Sequence, residues 1–219
     1  LDLKDSILYA KRIQTSILPT EKQIRESFPE SFVLYRPRDV VSGDFYWHYK
    51  RDERIYFATI DCTGHGVPGA LMSMIANELM NQVIIQRKLT DTSDILELLN
   101  KLMVRTLRQK EDANMRDGMD LSLCVIDQTT NTLAFAGALG NLYLSHAGKI
   151  SMYPGTRHSI GGHLEDVRKE FETKHIPLSK GDTVYLTTDG YIDQFGGTHG
   201  KKFMKKRFEA LVSELQELP

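Results

Sequence analysis

The hexapeptide Asp61-Cys62-Thr63-Gly64-His65-Gly66 constrains this chain more than any other stretch. It follows an apolar run, Ile55-Tyr56-Phe57-Ala58-Thr59-Ile60, whose β-branched and aromatic residues read as a buried strand. Just downstream, Val67-Pro68-Gly69-Ala70 opens a helix, with Pro68 in the first turn, where its missing N–H costs nothing. A carboxylate is thereby placed at the carboxyl end of a buried strand, on a glycine-rich turn that faces a helix N-terminus. Charge is costly there unless something uses it. On this stretch alone two readings stand: a helix-capping aspartate on a tight turn, or a functional carboxylate.

The flanking pattern sets the fold class. Residues 2–18 read as a helix ended by Pro19, with Leu3, Ile7, Ala10, Gln14 and Ile17 at alternating four- and three-residue spacing. That seam suits docking on the chain's own domain, or the tail of a coiled coil from an upstream sensor module; two heptads are too short to be stable alone. Strands are expected at 31–38, 41–49 and 54–60. A helix at 67–88 carries Leu71, Ile75, Leu79 and Val83 as its buried stripe. A second, at 93–108, is opened by Ser93 or Asp94 with Glu97 as capping-box partner, and buries Ile95, Leu98, Leu99, Leu102 and Leu107. After a polar loop at 109–119, strands follow at 121–126, 132–138, 142–145, 149–153, 171–175 and 183–188, with a loop at 155–170. A last helix begins near Lys202, with Met204, Phe208, Leu211, Leu215 and Leu218 as its stripe. Short strands joined by tight turns imply antiparallel pairing. Strands and helices segregated along the chain imply an α+β fold, with sheets packed together and helices outside.

Composition removes several function classes. The 219 residues carry a net charge of -1, with 41% hydrophobic and 26% charged residues, which suits one domain with a full core. There is no basic stripe to neutralise phosphates, so no nucleic-acid partner is expected; the run from Lys201 to Arg207 reads as a solvated helix face. Cys62 and Cys124 lack CxxC spacing and read as reduced core thiols of a cytoplasmic protein. Neither has Arg at the spacing of a phosphate-cradling Cys-x₅-Arg loop, which discards a thiol-dependent phosphatase. No apolar stretch approaches a membrane span. The chain starts Leu1-Asp2-Leu3-Lys4 inside a helical pattern, without a visible signal peptide, and reads as a piece of a longer protein that an upstream domain could tether to a membrane.

Three aspartates share one local setting. Asp44 follows Ser42-Gly43 at a strand entry, Asp61 ends a strand before Gly64, and Asp189 ends the strand 183–188 before Gly190. Each alone is an ordinary turn former, as Asp117-Gly118 is. Converging, they would repel unless a cation lay between them, and hard divalent ions such as Mg²⁺ or Mn²⁺ take oxygen ligands. Two such ions about 3.5–4 Å apart activate water against a phosphoryl group. Asp193 either joins the cluster or caps the next segment. His65 reads as a structural histidine of the turn, with proton donor or metal ligand as the alternatives.

Ser42-Gly43-Asp44-Phe45-Tyr46, Asp61-Cys62-Thr63-Gly64-His65-Gly66 and Thr188-Asp189-Gly190, in this order, resemble the SpoIIE-type branch of the metal-dependent protein phosphatases (PPM). Ala10-Lys11-Arg12-Ile13-Gln14-Thr15-Ser16-Ile17-Leu18-Pro19 is similar to the linker helix that precedes such domains. The resemblance implies a β-sandwich of two antiparallel sheets flanked by helices (αββα). Residues 1–19 would be a linker or coiled-coil helix and residues 25–219 the phosphatase domain. It implies two Mn²⁺ or Mg²⁺ ions and hydrolysis of phosphoserine or phosphothreonine by metal-activated water. Carried over by position, Asp61 bridges both metals, the Cys62 backbone carbonyl ligates one, Asp189 ligates the other, and Asp44 binds directly or through water. The implied partners are a phosphorylated STAS-type anti-sigma-factor antagonist and an upstream sensor domain, and residues 1–18 offer a homodimer contact.

In one place the sequence departs from the family pattern. Such domains close with an Asp-Asp-x-Thr-type strand that supplies the last metal ligand, whereas this sequence stops at Glu217-Leu218-Pro219. The expectation is a domain lacking its last strand or strands, with a weakly held second metal and impaired activity. The alternative is a catalytically silent phosphatase-like module that binds a partner or dimerises; retention of Asp44, Asp61 and Asp189 argues against it. A further expectation is that helix 2–18 gates the site by moving helix 67–88.

Overall fold

The computed structural model describes residues 2–112, 114–162, 170–198 and 200–215. Its elements, in chain order, are α1 (Leu3–Ile17), α2 (Glu21–Ser27), β1 (Asp44–Arg51), β2 (Arg54–Cys62), α3 (Gly66–Met80), a π-helical turn (Asn81–Gln86), α4 (Thr92–Thr106), β3 (Gly118–Asp127), β4 (Thr132–Ala138), β5 (Leu142–His146), β6 (Lys149–Tyr153), β7 (Ile160–Gly161), β8 (Lys174–Pro177), β9 (Thr183–Leu186), α5 (Asp189–Ile192), β10 (Phe195–Gly196), β11 (Lys201–Lys202) and α6 (Met204–Leu215). Strands β1-β2-β3-β4-β8 form one antiparallel sheet, to which β7 adds by pairing with β3; β6-β5-β9 form a second.

The period-2 pleat explains the layers. On β2, Tyr56, Ala58, Ile60 and Cys62 are buried with Phe45 and Trp47 of β1 and Leu121, Leu123 and Val125 of β3. This face packs on Met72, Ala76, Leu79 and Met80 of α3 and on Ile95, Leu99 and Met103 of α4. The opposite face carries Phe57, Cys124, Leu133, Phe135 and Ile176, which meet Leu142, Leu144 and Val184 of the second sheet. The far side of that sheet packs Tyr143 against Phe208 and Val212 of α6. The order is helices, sheet, sheet, helix, as the α+β sandwich expectation requires.

Individual elements depart from the sequence expectation for identifiable reasons. Residues 31–38 form no strand; Phe32, Val33 and Leu34 are exposed, and strand composition without a partner edge makes no ladder. The strand expected at 41–49 starts at Asp44. Helix 67–88 is divided into α3 and the π-helical turn. Its buried face runs through Met72, Ala76, Leu79, Met80, Val83 and Ile84, while Leu71 is 62% exposed. A strict four-residue stripe drifts about 40° per step around a 3.6-residue helix, so Leu71 and Val83 cannot share one face. The N-cap of α4 is Asp91, which accepts from the N–H groups of Ser93 and Asp94, in place of those residues themselves. Leu98 and Leu107 are partly buried there, and Leu96 and Met103 fully. The expected strand 171–175 starts at Lys174, and β7 lies inside the expected loop 155–170. On α6, Phe208 and Val212 are buried, whereas Met204 and Leu215 are exposed; Leu218 lies outside the described residues. The seam of α1 turns inward at Ile7, Ala10, Gln14 and Ile17, while Leu3 is 75% exposed.

Leu99 has no exposed surface and sits where α4 meets the first sheet. Leu99→Ala should cost about 2–5 kcal/mol, measured by urea unfolding, through lost transfer energy and the cavity left behind. A loss under about 1 kcal/mol would contradict this packing.

Candidate metal centre

Register brings the carboxylates together. Asp44 of β1 lies directly opposite Asp61 of β2, and Asp61 lies directly opposite Asp120 of β3. Opposed residues of antiparallel strands share a face, and like charges in that position destabilise a sheet. By pleat parity these aspartates share the face of Phe57 and Cys124, which looks toward the second sheet. Three adjacent strands therefore present a row of carboxylates at one end of the sandwich.

The second sheet supplies the fourth. After β9 the chain turns into the one-turn helix α5, whose first residue is Asp189. Thr188 Oγ1 donates to Asp44 Oδ2 at 2.6 Å, which ties the two sheets together at this end. Gly190 lies against the same carboxylate: a Cβ there would stand 3.3 Å from Asp44 Oδ2. Asp61, Asp120, Thr188, Asp189, Asp193 and Lys205 all line one cleft of about 170 Å³. A roomier groove, of about 600 Å³, runs beside Ile7, Val40, Val41 and Val67 and holds none of the clustered carboxylates.

Glycines allow the close approach at Asp44. A Cβ on Gly43 would lie 2.7 Å from the Gly64 carbonyl oxygen and 2.9 Å from that of Cys62, and one on Gly69 would lie 2.5 Å from Gly64 O. The Asp44 turn, the end of β2 and the start of α3 are thus packed backbone to backbone. Thr63 closes the other flank, with Oγ1 donating to Asp117 Oδ1 at 2.9 Å and its N–H to the Gly118 carbonyl at 3.0 Å. His65 Nδ1 stands 3.0 Å from Asp39 Oδ2 on the exposed outer side of the turn.

Electrostatics identify the stressed group. Burial, then the charges of Asp44 and Asp189, push the Asp61 carboxyl up to about 8. Burial also raises Asp120, against a hydrogen bond from Ser159, with Asp189 adding repulsion. The Cys62 thiol is raised by burial and by Asp61, so it is no nucleophile at neutral pH. An all-oxygen donor set of this kind fits a hard divalent cation, whose charge would relieve the repulsion at Asp61. Among the described residues no three His, Cys, Asp or Glu side chains already enclose a common point, so seating an ion requires the carboxylates to turn toward it.

The sequence-expected residues Asp44, Asp61 and Asp189 are brought together, with the Cys62 carbonyl beside the Asp44 turn. Asp189 opens a helical turn, since β9 ends at Leu186. Asp193 lines the same cleft and pairs with Lys202 Nζ at 2.7 Å. Sequence reasoning missed Asp120, and it named Thr188 within a motif without giving it a role. The signal for Asp120 was a single carboxylate in the apolar run 118–126; that it opposes Asp61 depends on register, which spacing does not carry.

The strained carboxyl has a pH signature. Asp61 is raised from 3.8 to about 8 in the fold, so the native state keeps a proton that the unfolded chain releases. Its contribution is complete below the unfolded value and is lost as pH rises to the folded one. In chelator, wild type should therefore lose melting temperature relative to Asp61→Asn between about pH 4 and pH 8. The difference isolates Asp61, because His48, lowered by burial, gives both proteins an opposite slope. A wild type that gains on Asp61→Asn across this interval would contradict the assignment.

Comparison with known proteins agrees with the sandwich fold. The family model for stage II sporulation protein E (SpoIIE) matches residues 51–219. The phosphoserine phosphatase RsbU of Bacillus subtilis (strain 168) is 28% identical over 195 residues, 88% of this chain and 55% of RsbU. The phosphoserine phosphatase RsbP of the same organism is 25% identical over 219 residues, 99% of this chain and 52% of RsbP. The chain thus spans about half the length of these curated relatives. The solved SiaA-PP2C domain of Pseudomonas aeruginosa is 36% identical, with a TM-score of 0.85 over 97% of this chain and 82% of that one. A carboxylate row in a PPM-type sandwich and a family match over most of the sequence lead to one conclusion: the chain belongs to the SpoIIE family, a SpoIIE-type domain of the PPM phosphatases.

Proposed function

We propose that this domain is a metal-dependent protein serine/threonine phosphatase. It hydrolyses phosphoserine or phosphothreonine in a regulatory protein, as the output domain of a longer signalling protein. The observation that carries the reading is the convergence of Asp44, Asp61 and Asp120 from adjacent strands on Asp189, with Asp61 pushed up to about 8. Phosphoserine phosphatases among the relatives support the reaction class.

Asp61, central in the row, would contact both of two Mn²⁺ or Mg²⁺ ions. Asp189 and the Cys62 carbonyl would each hold one, and Asp44, fixed by Thr188, would bind directly or through water. When bound, the ions supply Lewis acidity toward the phosphoryl oxygens and the attacking water. The chain's own contribution is to present Asp44 and Asp189 from the two sheets beside one cleft, with side chains free to turn toward an ion. The partner we infer is a phosphorylated anti-sigma-factor antagonist of the STAS type, within a partner-switching circuit downstream of a sensor domain. The exposed face of α1, with Leu8, Tyr9 and Ile13, would serve contact with a second copy through residues 1–18. We infer a cytoplasmic domain from its two buried free thiols, Cys62 and Cys124; among the described residues no helix is long and apolar enough to cross a membrane.

Phosphate release from a phosphoserine-bearing STAS-type protein tests the reading in the full-length protein. Turnover should require Mn²⁺ or Mg²⁺, stop with chelator, and fall at least about a hundredfold in Asp61→Asn, equivalent to about 2.7 kcal/mol of barrier. Turnover indifferent to chelator, or undiminished in Asp61→Asn, would overturn it.

A further inference from the structure

The seam of α1 contains one polar residue, and it is the best-buried position of that helix. Gln14 is 5% exposed, and its amide is fully engaged. Nε2 donates to the Ser42 carbonyl oxygen at 2.6 Å and to Ser73 Oγ of α3 at 2.8 Å. Oε1 accepts from the Ser42 N–H at 3.1 Å. The side chain therefore pairs with both peptide groups of Ser42, as a neighbouring strand would. An aliphatic residue at this seam position would pack on α3 equally well but would leave both Ser42 groups unpaired.

Ser42 in turn holds Asp44. Its Oγ accepts from the Asp44 N–H at 3.0 Å, across the tightly packed Gly43. We propose that Gln14 is a positioning residue of the metal site: its amide fixes the Ser42 backbone, and Ser42 fixes where the Asp44 carboxylate stands. This deepens the metal-site reading above and rests on it. The residue lies on α1, so through these hydrogen bonds the integrity of the site depends on α1 being docked.

Gln14→Met tests the proposal, because methionine keeps the length, helix propensity and apolar packing and lacks the amide. In chelator, the Ser42 and Asp44 amides should exchange hydrogen faster than in wild type, while that of Ala76 in the core of α3 stays protected. In calorimetric titration with Mn²⁺ alone, the dissociation constant should rise about 10–100-fold, the usual effect of losing an outer-shell partner. In phosphatase assays kcat should fall with KM unchanged. Ser42→Ala, which leaves α1 untouched but removes the acceptor for the Asp44 N–H, should weaken Mn²⁺ in the same direction. It carries the test if Gln14→Met does not fold. A folded Gln14→Met with a lower melting temperature but wild-type exchange at Ser42 and Asp44 and wild-type Mn²⁺ affinity would overturn the proposal and leave Gln14 a helix anchor. So would wild-type affinity in Ser42→Ala. Wild type without Asp61-dependent Mn²⁺ binding would instead sink the metal-site reading; the exchange rates then decide whether the clamp exists.

Discussion

Like charges placed side by side on a sheet are the constraint on which the rest of this structure depends. Asp44, Asp61 and Asp120 stand opposite one another across three strands, and Asp189 faces them from the second sheet. A sheet of alternating buried and exposed residues would gain from any apolar or polar neutral residue at these positions. The fold holds them in place through close backbone packing at Gly43, Gly64 and Gly69 and through the Thr188–Asp44 hydrogen bond. A fixed backbone with carboxylates that can still turn suits a centre that gains its compensating charge from outside the chain.

The sandwich is the means of convergence. Each sheet alone would carry its aspartates on an open face. Packing the sheets through Phe57, Phe135, Leu142 and Leu144 sets the end of β9 over the ends of β1, β2 and β3. The apolar core between the sheets thus determines the distance between Asp189 and the row. α1 adds a contact of another kind, reaching the Asp44 turn through hydrogen bonds while it packs on α3.

Much of this was legible in the sequence. Strands 132–138 and 149–153 stand as expected, because alternation between tight turns leaves little freedom in their limits. Asp44, Asp61 and Asp189 could be singled out because each sits beside glycine at a strand rim. Whether they meet is a property of register and of sheet packing, and neither is local. Asp120 went unremarked for the same reason: only its pairing with Asp61 gives it meaning. The strand composition of residues 31–38 misled because those residues find no edge to pair with. Gln14 was read as one member of an apolar seam, although a lone amide at such a position must find partners when buried.

On the proposed function, the carboxylate row is built for divalent cations. Anomalous scattering at the manganese edge, from crystals grown with Mn²⁺, tests it most directly. Manganese should stand in contact with the Asp61 carboxylate, with Asp189 as a further ligand, and that signal should be lost in Asp61→Asn. Manganese absent from this cleft, or bound there equally in Asp61→Asn, would contradict it.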